Sequence, residues 1–521
     1  MKIMLVAPKF DIFPVGIAYI ASSLKAAGHD VDCSIFDKPE TLNSQLRRKE
    51  FDFLATGGLS SQYHMIDQIL TVAKANDLKV IVGGGIITSE PELISKALNI
   101  DYAVIGEGEK TIVELLSYIE NKQDISGVYG IGYFNNADFI VTQSRIQTED
   151  LDQLPFPDYE AFGFSKYLDA LRPSDLYVYD VFDHPRDYPL ITSRSCPFLC
   201  TFCYHPSGDK YRQRSLDSIM LEIESVVKKH RINIISIYDE LFSYNEERVY
   251  DFCRRLLKFQ KTLPWKLKWG CQMRVSGLKD SMLDAMRESG CIIVSYGFES
   301  YSPVVLTSMK KHITPDEIHR AIHATLERGM SIQAGFIFGD TAETLDTAKV
   351  TLDFWREHRD AGIMLGNILP YPNSAMYQRA IAKGIIKDKL DFIKHRLSET
   401  YNLTEMTEKD FLVLQTLRLQ YTFKYYTYTV PLRKTRTHLS VCCPHCKEII
   451  EYGNFAIDGI FYNKMMYCRN CRKRYFAVSR LYKLYAQMIA LIATPGLVSA
   501  LFAYRRTRSA LRVGTYIRCL S

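Results

Sequence analysis

The sequence predicts an α/β protein: a doubly wound parallel sheet, then a partial (β/α)6 barrel, then a small cysteine-paired ribbon and a C-terminal helical tail. Three observations carry this. Short apolar runs alternate with helix-period segments over residues 2–105 and again over 188–369, and strands that alternate with helices feed a parallel sheet. Glycines gather where the first strands should end, at Gly57-Gly58, Gly83-Gly84-Gly85, Gly106 and Gly108, the place where an open α/β sheet takes its ligands. Two C-x2-C pairs stand near the C-terminus, Cys443/Cys446 and Cys468/Cys471, a spacing that reads as a metal ribbon.

The elements follow in order. KIMLVA (2–7) is a short apolar run, read as a buried strand. A helix over Ile17–Ala27 follows, with Gly28 where a C-cap glycine belongs. Further strands are read at Val31–Phe36, Phe53–Thr56, Val80–Val82 and Tyr102–Ile105, with helices at His64–Asn76 and Glu90–Leu98 between them. Residues 126–185, with Pro155, Pro157 and Pro173, read as an irregular linker. Six strands then recur, at Leu190–Thr192, Ile234–Tyr238, Leu267–Gln272, Ile292–Gly297, Gln333–Phe338 and Gly362–Leu369. The resulting division is 1–125 (sheet domain), 126–185 (linker), 186–385 (barrel), 386–436 (helical extension), 437–478 (ribbon) and 479–521 (apolar helix and basic tail).

Composition bounds the function classes. At 521 residues, 47% apolar and 24% charged, the chain is neither disordered nor collagen-like and has length for about three domains. The net charge of +6 hides an asymmetry: Asp458 is the last acidic residue, and 12 Lys or Arg follow it. A basic tail on a mildly acidic body expects an anionic partner. Thirteen cysteines are too few for a disulfide scaffold, and seven fall in two tight clusters, which favours metal and a reducing, cytoplasmic setting. The start, MKIMLVAPKF, lacks the apolar run of a secretory leader.

Residues 193–206, SRSCPFLCTFCYHP, hold Cys196, Cys200 and Cys203 at C-x3-C-x2-C spacing directly after a strand. Three thiolates on one loop suit a 4Fe–4S cube whose fourth iron stays open. Chemistry needs an open metal site, whereas structural sites are usually closed; a zinc loop is the bland alternative. On these residues, with the aromatic Phe202, the sequence resembles the radical S-adenosylmethionine (SAM) superfamily. The resemblance implies that the open iron is chelated by SAM, with Cys196, Cys200 and Cys203 as the catalytic cluster ligands. It extends to Asp239-Glu240, similar to the acidic motif that holds the SAM amine, and to Glu299 at the ribose position. It also covers Gly335 to Gly339, similar to the glycine strand beside the adenine, and Pro370-Tyr371-Pro372 after the last strand. Arg194 and Arg274 sit where related sequences carry arginine, and either can meet a carboxylate. Taken singly, Asp239 and Glu240 also read as solvated loop acids, and Glu299 as a helix N-terminal residue.

Residues 1–125 resemble the Rossmann-like cobalamin-binding domain that precedes many radical SAM domains, on Pro14–Tyr19, Ala27–Val31, Gly83-Gly84-Gly85 and Gly106-Glu107-Gly108-Glu109. The resemblance implies cobalamin contacts at Gly16, Gly57, Gly83, Gly84, Gly106 and Glu107. By themselves these glycines would suit a flavin or nucleotide equally. The D-x-H-x-x-G motif that gives mutases an axial histidine is absent; His29 and His64 read as surface or capping residues. Residues 1–195 hold a single cysteine, Cys33, which excludes the second three-cysteine cluster of methylthiotransferases.

Cys443, Cys446, Cys468 and Cys471 suit a closed tetrahedral zinc ribbon; Cys442 leaves room for a shifted register, and a rubredoxin-like iron is the alternative. From Leu484 to Tyr504, 21 residues carry no charge, but Thr494-Pro495-Gly496 interrupts them. With Arg505, Arg506, Arg508, Arg512 and Arg518 beyond, this fits an interfacial membrane anchor; the alternative is a helix packed on the body. Nucleic acid is disfavoured, since aromatic and basic residues hardly interleave.

The resemblance implies an enzyme that cleaves SAM reductively to a 5′-deoxyadenosyl radical, with an electron donor such as a flavodoxin or ferredoxin. Cobalamin would then methylate an unactivated carbon or phosphorus of a small-molecule or lipid-linked substrate. Rearrangement or cyclisation by the same cofactors is a rival, as is a non-catalytic cobalamin or redox sensor.

Overall fold

The computed structural model describes residues 1–10, 12–242 and 245–511. Its first sheet contains β1 (Lys2–Ala7), β2 (Asp30–Ile35), β3 (Phe53–Gly57), β4 (Lys79–Gly83), β5 (Tyr102–Val104), β6 (Ile131–Asn135) and β7 (Asp138–Val141), in the order β2-β1-β3-β4-β5-β6-β7. Strands β1–β5 are parallel. The residues read as the start of a linker instead add β6 and β7 as an antiparallel hairpin. Its turn holds Asn136 at φ 55°, a left-handed position that asparagine tolerates.

The remaining linker is a wedge rather than a loose tether. Tyr159 is buried, its hydroxyl donates to the Pro189 carbonyl at 2.8 Å, and its ring meets Phe13 and Tyr188 with centroids 5.3 Å away in each case. One apolar core therefore runs from Leu5 and Phe13 of the first domain to Leu190 and Ile235 of the second.

The second domain begins with β8 (Asp187–Leu190), followed by a short antiparallel pair, β9 (Ser193–Arg194) and β10 (Arg212–Gln213). Then come β11 (Ile234–Ile237), β12 (Lys268–Met273), β13 (Cys291–Glu299), β14 (Ser331–Phe338) and β15 (Ile363–Asn367). The six-stranded sheet β8-β11-β12-β13-β14-β15 is parallel and in chain order, as expected of an open partial barrel. Local chemistry sets the helix starts. Ser215 caps helix Leu216–His230, and Thr314 with Glu317 forms a capping box at helix Pro315–Glu327, with proline in its first turn.

Two three-stranded sheets form the ribbon, β16 (Tyr428–Thr429), β21 (Arg474–Val478) and β20 (Asn463–Tyr467) in one, and β17 (Arg433–Lys434), β18 (His438–Cys442) and β19 (Ile449–Gly453) in the other. It docks at the amino ends of the barrel strands. The Tyr467 hydroxyl donates to the Ile332 carbonyl at 2.5 Å, and Ser331 donates to the Arg472 carbonyl at 3.1 Å.

The apolar run near the C-terminus breaks at Thr494 into helices Arg480–Ile492 and Pro495–Leu511. Both pack on helix Glu408–Tyr425, so the body-packing alternative describes them better than the expected membrane anchor. No helix among the described residues is long and apolar enough to cross a membrane. Arg512 and Arg518 lie outside the described residues.

Candidate functional site

The chain between β9 and β10 is the cysteine loop, and it stands at the carboxyl end of the barrel sheet. A turn bond from the Cys203 amide to the Cys200 carbonyl (3.1 Å) brings these two residues together. The loop is pinned to the barrel where the Thr201 amide donates to the Met309 carbonyl (3.1 Å) and the Met376 amide to the Thr201 carbonyl (3.0 Å). The Cys200 thiol is pushed down to about 6, first by its hydrogen bond with Cys203, then by the Lys311 and Arg274 cations. Such surroundings favour thiolate. Burial pushes Cys196 up.

Around the loop, the expected acids separate into different roles. Asp239 is buried and accepts from the Thr192 amide (2.7 Å), the Thr192 hydroxyl (2.5 Å) and the Ser193 hydroxyl (2.8 Å). Burial pushes it up to about 6. Its carboxylate organises the entry to the loop and does not face outward. Glu240, beside it, is half-exposed and pairs with His205 Nδ1, while the other ring nitrogen of His205 is buried with no partner.

Glu299 ends β13 at a bulge, with φ 62°; bulges of this kind re-aim side chains. It accepts from Lys311 Nζ at 2.9 Å. A Cβ at Gly297 would lie 2.5 Å from both groups, so a larger residue there would push this pair aside. Lys311 also stands 5.8 Å from the Phe202 ring centroid, and Arg274 lies 3.5 Å from that of Phe198. Arg274 donates to the Lys311 carbonyl as well. Gly335 and Gly339 follow on β14 and just past it; a Cβ at Gly339 would meet nothing within 4 Å.

On the first domain, the glycines sit past the carboxyl ends of β3, β4 and β5. Gly84 has φ 83°, and a Cβ there would come within 2.8 Å of the Gly58 backbone; one at Gly57 would lie 2.7 Å from the Gly83 carbonyl oxygen. Added Cβ atoms at Gly16 and Gly106 would meet nothing within 4 Å. This edge faces the cysteine loop directly: the Tyr204 hydroxyl donates to the Gly85 carbonyl at 3.4 Å, and a Gly85 Cβ would be 3.7 Å from Pro206.

Glu107 does not stand open toward a ligand. Its carboxylate takes Arg194 (3.0 Å), Arg212 (2.8 and 2.9 Å) and the Thr148 amide (2.8 Å). Arg194 is likewise engaged, by Glu107 and by Glu109 at 2.5 Å. Burial opposes the charge on Glu109, yet Arg194 holds it below the usual carboxylate range. The expected carboxylate partner of Arg194 is thus internal, in a buried clamp between the two domains. His29 Nδ1 lies 3.4 Å from the N-terminal amine and His64 Nε2 2.7 Å from the Lys394 carbonyl.

Sequence reasoning missed His205, Lys311 and Arg212, and read Glu109 only as part of the glycine-edge motif. His205 lies two residues past Cys203 and was legible by position. Lys311 carries no motif and reaches the site only through the fold.

The four ribbon thiols come together as expected. Their sulfurs lie within 4.8 Å of one another, with Cys443–Cys471 at 3.8 Å and Cys446–Cys468 at 3.7 Å; Cys442 stands outside the group. The loop sulfurs of Cys196, Cys200 and Cys203 are not drawn into one such tight group.

Comparison with known proteins agrees with this layout. Residues 1–116 match the B12 binding domain family and residues 190–354 the Radical SAM superfamily. An uncharacterized methyltransferase of Pyrococcus horikoshii is 28% identical over 406 residues, covering 74% of this chain and 84% of that protein. An anaerobic magnesium-protoporphyrin IX monomethyl ester cyclase of Cereibacter sphaeroides is 26% identical, over 65% of this chain and 55% of its own. Among solved structures, the methyltransferase TsrM of Kitasatospora setae, with cobalamin and [4Fe-4S] cluster bound, superposes with TM-score 0.60 at 18% identity, over 73% of this chain and 75% of that one. OxsB, a cobalamin-dependent SAM radical enzyme, does so with TM-score 0.57 at 17% identity, over 98% and 71%. At those identities the likeness is one of fold. The chain joins a B12-binding domain, residues 1–116, to a domain of the radical SAM superfamily, residues 190–354.

Proposed function

We propose that this chain is a cobalamin-dependent radical SAM methylase acting on an unactivated carbon or phosphorus of a small-molecule or lipid-linked substrate. The observation that carries the reading is the apposition of the cysteine loop and the glycine edge of the B12-binding domain, through Tyr204, Pro206 and Gly85.

The residues fit the groups that the reading needs. Cys196, Cys200 and Cys203 would hold a 4Fe–4S cluster, since three thiols on one loop leave one iron for SAM. Phe202, Glu240, Glu299, Arg274, Gly335 and Gly339 would border the SAM site, with Asp239 positioning the loop. Gly16, Gly57, Gly83, Gly84 and Gly106 would border cobalamin, with open space above Gly16 and Gly106. When bound, these cofactors supply the radical chemistry and the methyl group, while the protein supplies binding, orientation and electrostatics. Lys311 neutralises Glu299, and the Arg194–Glu107–Arg212 clamp fixes the loop against the first domain and excludes water from their junction. Cys443, Cys446, Cys468 and Cys471 would hold structural zinc: bonds of about 2.3 Å in a tetrahedron separate sulfurs by about 3.8 Å, close to the 3.7 and 3.8 Å found. Free thiols in both clusters suit a reducing cytoplasm, and electrons would come from a flavodoxin or ferredoxin.

The test is turnover of methyl-deuterated SAM by reduced, reconstituted protein with cell extract. A product carrying the labelled methyl group supports the reading. Formation of 5′-deoxyadenosine without label transfer overturns methylation and favours rearrangement or cyclisation, the rival that the cyclase relative supports. No 5′-deoxyadenosine at all would point to the sensor reading.

A further inference from the structure

Helices Pro315–Glu327 and Leu345–Glu357 are the crossovers before and after β14. His319 and His323 stand one turn apart on the first, a spacing that places them on one face. His358 directly follows the second. One nitrogen from each of the three rings lies within 4.8 Å of the others, and the Nε2 atoms of His319 and His323 are 3.1 Å apart.

The backbone sets the tautomer of the third ring. His358 Nδ1 lies 3.0 Å from the Phe354 carbonyl. A carbonyl only accepts, so Nδ1 carries the proton and the Nε2 lone pair is left free. Metal-binding histidines are usually backed in this way. The His358 ring also stacks on Phe354 at 4.1 Å, and Phe354 on Tyr301 at 3.6 Å. Beside these groups is an open surface hollow lined by Tyr301, His319, Asp353, Phe354, Glu357 and His358.

The geometry points to a divalent transition-metal site of zinc type formed by His319, His323 and His358, separate from both cysteine clusters. Three imidazoles without a thiolate suit zinc, copper or nickel rather than calcium or magnesium. Three protein ligands leave a fourth position for water or for Glu357, which lines the same hollow. The ion would stitch together the two helices that flank β14.

The experiment uses the full-length chain with its iron–sulfur cluster reconstituted and its ribbon already loaded with zinc. Cobalt(II) and zinc(II) are titrated into the wild type, the double variant His319→Ala/His323→Ala, the single variants His319→Gln and His358→Ala, and the control His184→Ala, an exposed histidine elsewhere. The wild type and His184→Ala should take up one further ion. Its cobalt spectrum should show weak ligand-field bands without thiolate charge transfer. The double variant should lose this ion, and the single variants should bind it at least tenfold more weakly. Equal uptake by all proteins, which marks adventitious surface binding, would overturn the assignment, and so would thiolate charge transfer in the added cobalt. The outcome does not depend on turnover, so it is independent of the proposed methylation.

Discussion

The cysteine loop and the ribbon use the same side chain in opposite ways. Cys196, Cys200 and Cys203 come from one stretch of chain at the carboxyl end of the barrel sheet, beside Lys311 and Arg274 and against the glycine edge of the first domain. Cys443, Cys446, Cys468 and Cys471 come from two knuckles in facing small sheets, and they sit at the amino end of the same barrel. The first arrangement gathers three thiols on one loop, beside two cations and a glycine edge. The second gathers four thiols within 4.8 Å of one another, with Tyr467 and Arg472 hydrogen-bonded to the start of β14. On the proposed assignment, thiol count and position along the strands separate chemistry from structure; in closed barrels, too, active sites lie at the carboxyl face and stability at the other.

This contrast can be broken from either side. The largest effect is expected for Cys200→Ser, which should reduce 5′-deoxyadenosine formation to background while leaving the far-ultraviolet circular dichroism spectrum and the ribbon zinc intact. Cys443→Ser should do the reverse. It should release zinc and lower the thermal midpoint, because structural zinc contributes folding energy directly, while the iron content stays at the wild-type level. If Cys443→Ser abolished the iron cluster and left stability unchanged, the two regions would have been assigned the wrong way round.

The clamp between the domains sharpens the comparison, because it belongs to the loop side alone. Glu107→Gln leaves the buried Arg194 and Arg212 with one carboxylate between them, Glu109, and breaking a buried pair costs about 3–5 kcal/mol. Urea unfolding should report a loss of that order, and cobalamin retention should weaken with it. A change below about 0.5 kcal/mol, the range of ordinary surface substitutions, would show that the clamp is not holding the domains.

A smaller effect is expected in the pH dependence. Asp239, pushed up to about 6 by burial, binds its proton more tightly folded than unfolded, where an aspartate titrates near 3.9. Its contribution is therefore lost as pH rises from about 4 through 6, a penalty on the order of 3 kcal/mol by linkage. Asp239→Asn should flatten the decline in stability across that window, measured by denaturant midpoints at each pH. An unchanged slope would remove Asp239 as its source.

Much of this was legible in the chain. Strand and helix alternation gave both sheets, since parallel βα units write their periodicity plainly, and C-x3-C-x2-C and the paired C-x2-C motifs announced both metal-type sites. What stayed hidden depends on contacts between distant segments. Glu107 reads as part of a glycine-edge motif, and only the fold shows that Arg194 and Arg212 consume it. Asp239 looks like an outward acid until Thr192 and Ser193 are seen to enclose it. Lys311 lies 12 residues from Glu299 along the chain with no motif to join them. The hairpin at Ile131–Val141 joins two short runs across Asn135-Asn136, and pairing with β5 decides the structure.

The decisive measurement is electron paramagnetic resonance of the reduced, anaerobically reconstituted protein, recorded with and without SAM. A signal from one four-iron cluster is expected, one that requires all three of Cys196, Cys200 and Cys203 and changes shape when SAM is added. A signal indifferent to SAM, or a single zinc ion held by those thiols in place of iron, would contradict the cluster assignment.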